Sequence, residues 1–252
     1  MQARVPILTY HAVNEAAGSP LAVAPQDFAA QMQALARAGY RAVPLSALVD
    51  SLRGGQPNSL PGRAVVITFD DGYRSVLEAA APVLRELGFA ATLFLVAGMG
   101  GKMNGGWRPA WPMLSWDEAA SLAEAGFELG AHTLTHPVLP HLPPAEAERE
   151  MLESKQEIAK RTGQTTRLLA YPYGARSWAV EALARRHFDG ACGARLALAG
   201  PGSNLFDLER VDAFYLRPAR VAARLDEPRA RAYLAVRRAM RWARRLVRSD
   251  WA

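Results

Sequence analysis

Cysteine is almost missing from this chain: a single residue, Cys192, stands among 252. One thiol excludes an intrachain disulfide and any zinc cluster built on cysteines. With no basic partner near it in sequence, Cys192 reads as a small buried hydrophobe rather than a nucleophile. Long apolar runs are missing too. No uninterrupted stretch is long enough to span a bilayer. The apolar run within residues 1–11 is too short for a secretory h-region and lacks a small-residue cleavage pattern. These absences lead us to expect a cytoplasmic protein. There is also no internal repeat, no low-complexity segment and no nucleic-acid-binding motif.

Acidic residues are scarce at one end. From Arg217 to Ala252 there are eleven arginines against Asp226, Glu227 and Asp250, a net of +8; the rest of the chain carries 19 bases and 21 acids, or −2, which together make the overall +6. The basic character therefore belongs to the tail. Placing residues 230–247 at 100° steps gathers Val236, Ala239, Met240, Ala243, Leu246 and Val247 on one half of a helix and Arg237, Arg238, Arg241, Arg244, Arg245 and Arg248 on the other. Such a helix either packs its apolar half on the body and solvates its arginines, or lies on an anionic membrane surface. The second reading would put the protein at the periphery of the inner membrane, beside lipid-linked sugars.

What is present is a large apolar fraction, 50% of residues, enough to bury one sizeable core. Short apolar runs alternate with amphipathic segments. Strands are predicted at 5–10, 40–43, 64–69, 91–96, 127–129, 168–171 and 190–192, with another candidate at 214–216. Helices are predicted at 25–38, 45–52, 73–87, 115–125, 144–161 and 180–186. This βα alternation with short turns implies an α/β fold with a parallel sheet covered by helices. Residues 98–113 break the rhythm. They are glycine-rich, contain Asn104, Trp107 and Trp111, and read as a binding loop or lid.

The chemistry concentrates at three predicted strand ends. The run Val65-Val66-Ile67-Thr68-Phe69 stops at Asp70-Asp71-Gly72, so a buried parallel strand delivers two adjacent carboxylates. Two neighbouring carboxylates repel and persist together where a cation offsets one of them; the plainer alternative is that Asp71 caps the following helix. His132-Thr133-Leu134-Thr135-His136 follows the next-but-one strand. Histidines at i and i+4 with one carboxylate make the open three-ligand set of hydrolytic zinc, although two histidines beside Pro137 could also be a loop with capping hydrogen bonds. The third end is Tyr171-Pro172-Tyr173-Gly174.

The succession Thr-Phe-Asp-Asp-Gly, His-Thr-x-Thr-His-Pro and Tyr-Pro-Tyr-Gly, over roughly residues 5–217, resembles the polysaccharide deacetylases of carbohydrate esterase family 4. The resemblance implies a distorted (β/α)7 barrel as one domain, residues 1–218, with 219–252 as a basic amphipathic helical tail. It implies a metal-dependent hydrolase that removes the N-acetyl group from an amino sugar of a cell-envelope polysaccharide, oligosaccharide or glycolipid precursor. Asp71, His132 and His136 would be the metal ligands, with Zn2+ expected and Co2+, Ni2+ or Mn2+ as other candidates. Asp70 would be the general base, and the backbone N–H of Tyr173 would donate to the oxyanion.

The chain departs from the family pattern twice. The arginine expected to orient the base is replaced by Ala170, and Arg210 is the candidate substitute. The usual C-terminal histidine acid is missing, since the last histidine is His187. A circularly permuted subgroup, the poly-N-acetylglucosamine deacetylases, carries it at an N-terminal Tyr-His strand end, which Tyr10-His11 fits; His11 would then be the general acid. Trp107, Asn104, Tyr171 and Arg210 are the expected substrate contacts, while Phe69 reads as core and His141 as surface. Two other functions stay open: a deformylase or deacylase of a lipid-linked amino sugar, and a catalytically silent glycan-binding module.

Overall fold

The computed structural model describes residues 4–16, 19–54, 59–103, 110–216 and 219–247. Strand parity explains its layers. In a parallel sheet closed on itself, alternate side chains point into the barrel and out toward the helices. The strands are β1 (Ile7–Tyr10), β2 (Ala12–Val13), β3 (Ala22–Val23), β4 (Arg41–Ala42), β5 (Ala64–Phe69), β6 (Thr92–Leu95), β7 (Glu128–Ala131), β8 (Leu168–Ala170), β9 (Gly190–Leu196) and β10 (Leu208–Asp212). Ile7, Val66, Phe94, Leu168, Ala170, Cys192 and Leu208 share an inner cluster. Their alternates Leu8, Ile67, Leu93 and Leu169 belong to the outer one, packed under the helices. Gly130 is inward-facing because any Cβ there would collide with the Phe94 ring.

Seven strands close the barrel in the order β1-β10-β9-β8-β7-β6-β5, with β5 pairing back to β1, and every pairing among them is parallel. The short β4 adds to the start of β5, and β2–β3 form a separate pair. The structure is thus a single α/β domain with a (β/α)7-type closed barrel, as the resemblance implied.

The helices are α1 (Pro25–Arg37), α2 (Leu45–Arg53), α3 (Ala81–Glu86), α4 (Trp116–Glu124), α5 (Pro144–Thr162), α6 (Trp178–His187), α7 (Ala219–Ala222) and α8 (Pro228–Val247). Leu45, Leu48 and Val49 of α2 join the inner cluster and so fill the end of the barrel opposite the strand termini. Ser115 begins α4 with a full capping box to Glu118, and Gly163 ends α5 in the left-handed conformation.

Two predicted elements change form. The helix expected at 73–87 starts with a π-helical turn over Val76–Ala80. Pro82 has no N–H to donate and its ring would strike the carbonyl four residues back, so the widened turn ahead of it accommodates the proline. The strand candidate at 214–216 is instead a 3-10 turn, Ala213–Leu216, because Asp212 Oδ1 accepts the Phe214 N–H and bends the chain. The strand itself is β10, just before it. The weak strand expected at 190–192 runs on to Leu196.

Candidate active site

The site is built on the ends of β5, β7 and β8. Asp70 and Asp71 are both buried, yet they face different partners because Asp71 adopts a left-handed backbone, φ 72°, followed by Gly72 at φ 88°. Asp tolerates that region better than most residues. The four non-glycine residues with positive φ among the described residues are Asp71, Thr133, His136 and Tyr173. All four lie at the three strand-end motifs, where strain of about 1–3 kcal/mol per residue is commonly held by surrounding structure.

Asp70 faces Arg210 of β10. The guanidinium donates from both terminal nitrogens, at 2.7 Å to Oδ1 and 2.8 Å to Oδ2, and its Nε donates to the Gly193 carbonyl at 2.9 Å. Both side chains are 5% exposed, so this is a buried bidentate pair. Burial works to raise the Asp70 pKa, but the Arg210 charge, assisted by His132 and His11, outweighs it and holds the carboxyl well below the usual range. The guanidinium that the resemblance places at position 170 therefore arrives from β10, while Ala170 stays apolar inside the barrel. Arg210, expected among the substrate contacts, is instead committed to Asp70.

Asp71 faces the imidazoles. Its Oδ1 lies 3.4 Å from His132 Nε2 and 3.4 Å from His136 Nε2, and the two Nε2 atoms are 3.2 Å apart. His132 Nδ1 is 2.7 Å from the Ala170 carbonyl. A carbonyl oxygen can only accept, so Nδ1 carries a proton, which leaves Nε2 as the nitrogen that faces Asp71 and His136. Burial opposes ionisation of Asp71 as well, and the hydrogen bond to His132 with the charges of His11, His132 and His136 brings its pKa down. Burial and the neighbouring His132 push His136 down to about 3, so its imidazole is neutral near pH 7.

One carboxylate and two imidazole nitrogens, all within 4.8 Å of one another, thus converge in a buried spot. An oriented tautomer and a surplus carboxylate charge fit a divalent cation bound by three protein ligands with an open position.

The loop carrying both histidines is held from behind. Glu150 of α5 is buried and accepts the N–H groups of Leu134 at 2.9 Å and Thr135 at 2.8 Å on Oε2, and the Thr135 hydroxyl at 2.7 Å on Oε1. Thr133 Oγ1 accepts the His136 N–H at 3.0 Å. Sequence reasoning missed Glu150. The available signal was its place in the buried stripe of α5, beside Ala147, Met151, Ser154 and Ile158, where an acid must have a partner.

His11 follows β1 directly. The register Tyr10↔Phe69, with the Asp70 N–H donating to the Tyr10 carbonyl at 2.9 Å, brings it level with Asp70, and its charge acts on both aspartates. Tyr173, at φ 59°, stands on the rim, 61% exposed, with its ring edge-on to His136 at 4.7 Å between centroids.

Other expectations resolve differently. Tyr171 does not line a binding surface; it is fully buried and its hydroxyl donates to the Phe206 carbonyl, because it continues the parity of Leu169 into the outer cluster, whereas the left-handed backbone at Tyr173 turns that ring to the rim. Phe69 is core, Cys192 is buried with its thiol pushed up to about 12 by burial, and His141 is exposed. His187 pairs with Glu148, Nε2 to Oε1 2.6 Å. Trp111 packs edge-on to Tyr73. Asn104 and Trp107 lie outside the described residues.

Comparison with known proteins agrees with this layout. The chain superposes on the structure of IcaB from Ammonifex degensii with a TM-score of 0.76 at 28% identity, covering 88% of this chain and 96% of that one. The Streptococcus pyogenes deacetylase PplD, solved in complex with acetate, gives a TM-score of 0.74 at 26% identity over 84% of this chain and 93% of that one. In sequence, it is 32% identical over 173 residues to YxkH of Bacillus subtilis, provisionally named a polysaccharide deacetylase, which is 68% of this chain and 57% of that protein. A segment of 53 residues, 21% of this chain and 8% of the relative, is 42% identical to the poly-beta-1,6-N-acetyl-D-glucosamine N-deacetylase of Escherichia coli K12. The chain thus spans little more than half of the first curated relative and a small part of the second. Residues 58–187, more than half of the sequence and including all three motifs, match the polysaccharide deacetylase family, and the chain belongs to that family.

Proposed function

We propose that this protein is a metal-dependent N-deacetylase of an N-acetylated amino sugar in a polysaccharide, oligosaccharide or glycolipid precursor. The observation that carries this reading is the opposite treatment of two adjacent carboxylates: Asp70 is clamped by Arg210, whereas Asp71 is turned onto two imidazole nitrogens. A divalent cation held by Asp71, His132 and His136, with zinc the first choice, would polarise the acetyl carbonyl and acidify the attacking water.

The remaining roles belong to the chain itself. Asp70 is kept ionised by Arg210 and is free to accept a proton from that water, although a carboxylate so stabilised is a weak base and needs an acidic donor. His11, level with Asp70 on the neighbouring strand, gives a proton to the amine nitrogen as the C–N bond breaks. The backbone of Tyr173 contributes an N–H to the oxyanion, and its exposed ring forms one wall of the approach. Arg210 positions the base through its two-pronged bond to Asp70.

Acetate release from N-acetylglucosamine oligomers, measured with protein reconstituted with Zn2+, Co2+, Ni2+ or Mn2+, tests the reading. Asp70→Asn should lower turnover by about 10²–10⁴-fold with metal content unchanged. Formate release from an N-formyl sugar with no acetate release would move the assignment to a deformylase. Glycan binding without any turnover in the wild type would make the protein a silent binding module.

A further inference from the structure

Helix α8 turns the wrong way for a helix that merely completes the barrel. Its contacts with the body run through Ala230 and Leu234, which are buried, through Tyr233, whose hydroxyl donates to the Tyr215 carbonyl at 3.4 Å, and through Arg237, whose guanidinium lies over the Tyr215 ring while its Nε donates within the helix to the Tyr233 hydroxyl at 3.2 Å. Val236 and Met240, on the apolar half expected to pack inward, are 59% and 43% exposed. The packing reading of this helix is therefore corrected over its described side chains: the helix docks through Ala230, Tyr233 and Leu234, with Arg237 beside them, while Val236 and Met240 of the expected apolar half point away. The helical backbone continues to Val247, and the same 100° register carries the apolar sequence positions on through Ala243, Leu246 and Val247.

We propose that α8 docks on the surface of an anionic lipid bilayer, with its outward apolar stripe in the headgroup–acyl boundary and its arginines among the lipid phosphates. Charge selects this occupant. The 20 residues of α8 hold seven arginines and no acid, whereas residues 1–216 are slightly acidic. A second copy of the helix would set seven arginines against seven. A nucleic acid would engage the arginines and leave Val236 and Met240 in water. An anionic bilayer satisfies both faces. No described helix is long and apolar enough to cross a membrane, so α8 lies on the surface instead of spanning it. This placement stands independently of the chemistry proposed above, since it needs neither metal nor turnover.

Co-sedimentation of the full chain with large unilamellar vesicles tests it. The expected result is binding to phosphatidylcholine vesicles containing phosphatidylglycerol, about tenfold or more weaker binding to pure phosphatidylcholine, and a similar loss for the double variant Val236→Asp/Met240→Asp. Both residues are exposed, so thermal unfolding of the variant should match wild type. Absence of binding to the anionic vesicles would overturn the proposal. So would undiminished binding of the double variant, which would reduce the effect to charge, or a dimer in sedimentation velocity that the double substitution abolishes.

Discussion

The barrel rim and helix α8 handle charge in opposite ways. At the rim, Asp70, Asp71, Glu150 and Arg210 are each at most 8% exposed, and each has a partner at hydrogen-bonding or near-contact distance. Along α8, Arg229, Arg231 and Arg238 are exposed and sit in a segment with no acid of its own. Buried charges are costly unless matched, so the rim had to be built around its pairs; exposed arginines are solvated and impose nothing on the fold. Charge at the rim therefore determines structure and reactivity, while charge on α8 is available to something outside the chain.

Substitutions sharpen this contrast, and the largest effect should come from Arg210→Ala. It leaves Asp70 buried without its counter-charge and should cost about 3–5 kcal/mol in urea unfolding, with deacetylation lost. Arg210→Lys keeps the charge but not the bidentate fork, and should recover stability more than turnover. If Arg210→Ala were as stable as wild type, the pair would not be the organising contact described above.

Glu150→Ala should come next. It releases two backbone N–H groups and a hydroxyl in the loop that carries His132 and His136. Support of this kind is worth about 10–100-fold in metal affinity, read by competition with a chromogenic chelator or from the cobalt absorption spectrum. Glu150→Gln retains an acceptor for both N–H groups and should lie between. Equal affinity in all three proteins would show that the loop holds itself.

A pH series separates the two regions further. Asp70 has a folded pKa below its unfolded value of about 3.9, so its contribution to stability is complete above that value and is lost as pH falls below it. The stability gap between wild type and Asp70→Asn, measured by urea midpoints, should therefore be wide near neutrality and narrow in acid. The smallest effect belongs to the helix: Arg238→Ala, at an exposed position, should change stability by no more than about 0.5 kcal/mol. A larger loss would mean that α8 is held to the barrel by its charges and is not free to meet a surface.

How far the site was legible depended on the kind of residue. Asp70, Asp71, His132 and His136 announced themselves because strand ends and an i, i+4 spacing are local patterns. Glu150 did not, since the loop it clamps lies 15 and 16 residues away and nothing in the helix pattern names its partners. Tyr171 and Tyr173 look alike in sequence; a two-residue offset and a left-handed backbone at Tyr173 send one into the core and the other to the rim. Arg210 was named as a candidate, but its reach to Asp70 spans 140 positions and rests on β10 entering the barrel beside β1.

By itself the sequence determined the alternation of strands and helices, the parallel sheet that such an alternation implies, and which residue types collect at strand ends, because periodicity and turn chemistry act over a few residues; closure into a barrel was implied only by the motif resemblance. Only the tertiary structure decided that adjacent Asp70 and Asp71 face different partners, that the guanidinium comes from β10, and that α8 turns Val236 and Met240 outward. Those outcomes depend on strand order, on a few positive φ angles and on which face of a helix meets the body. Each is a long-range constraint that no local pattern encodes.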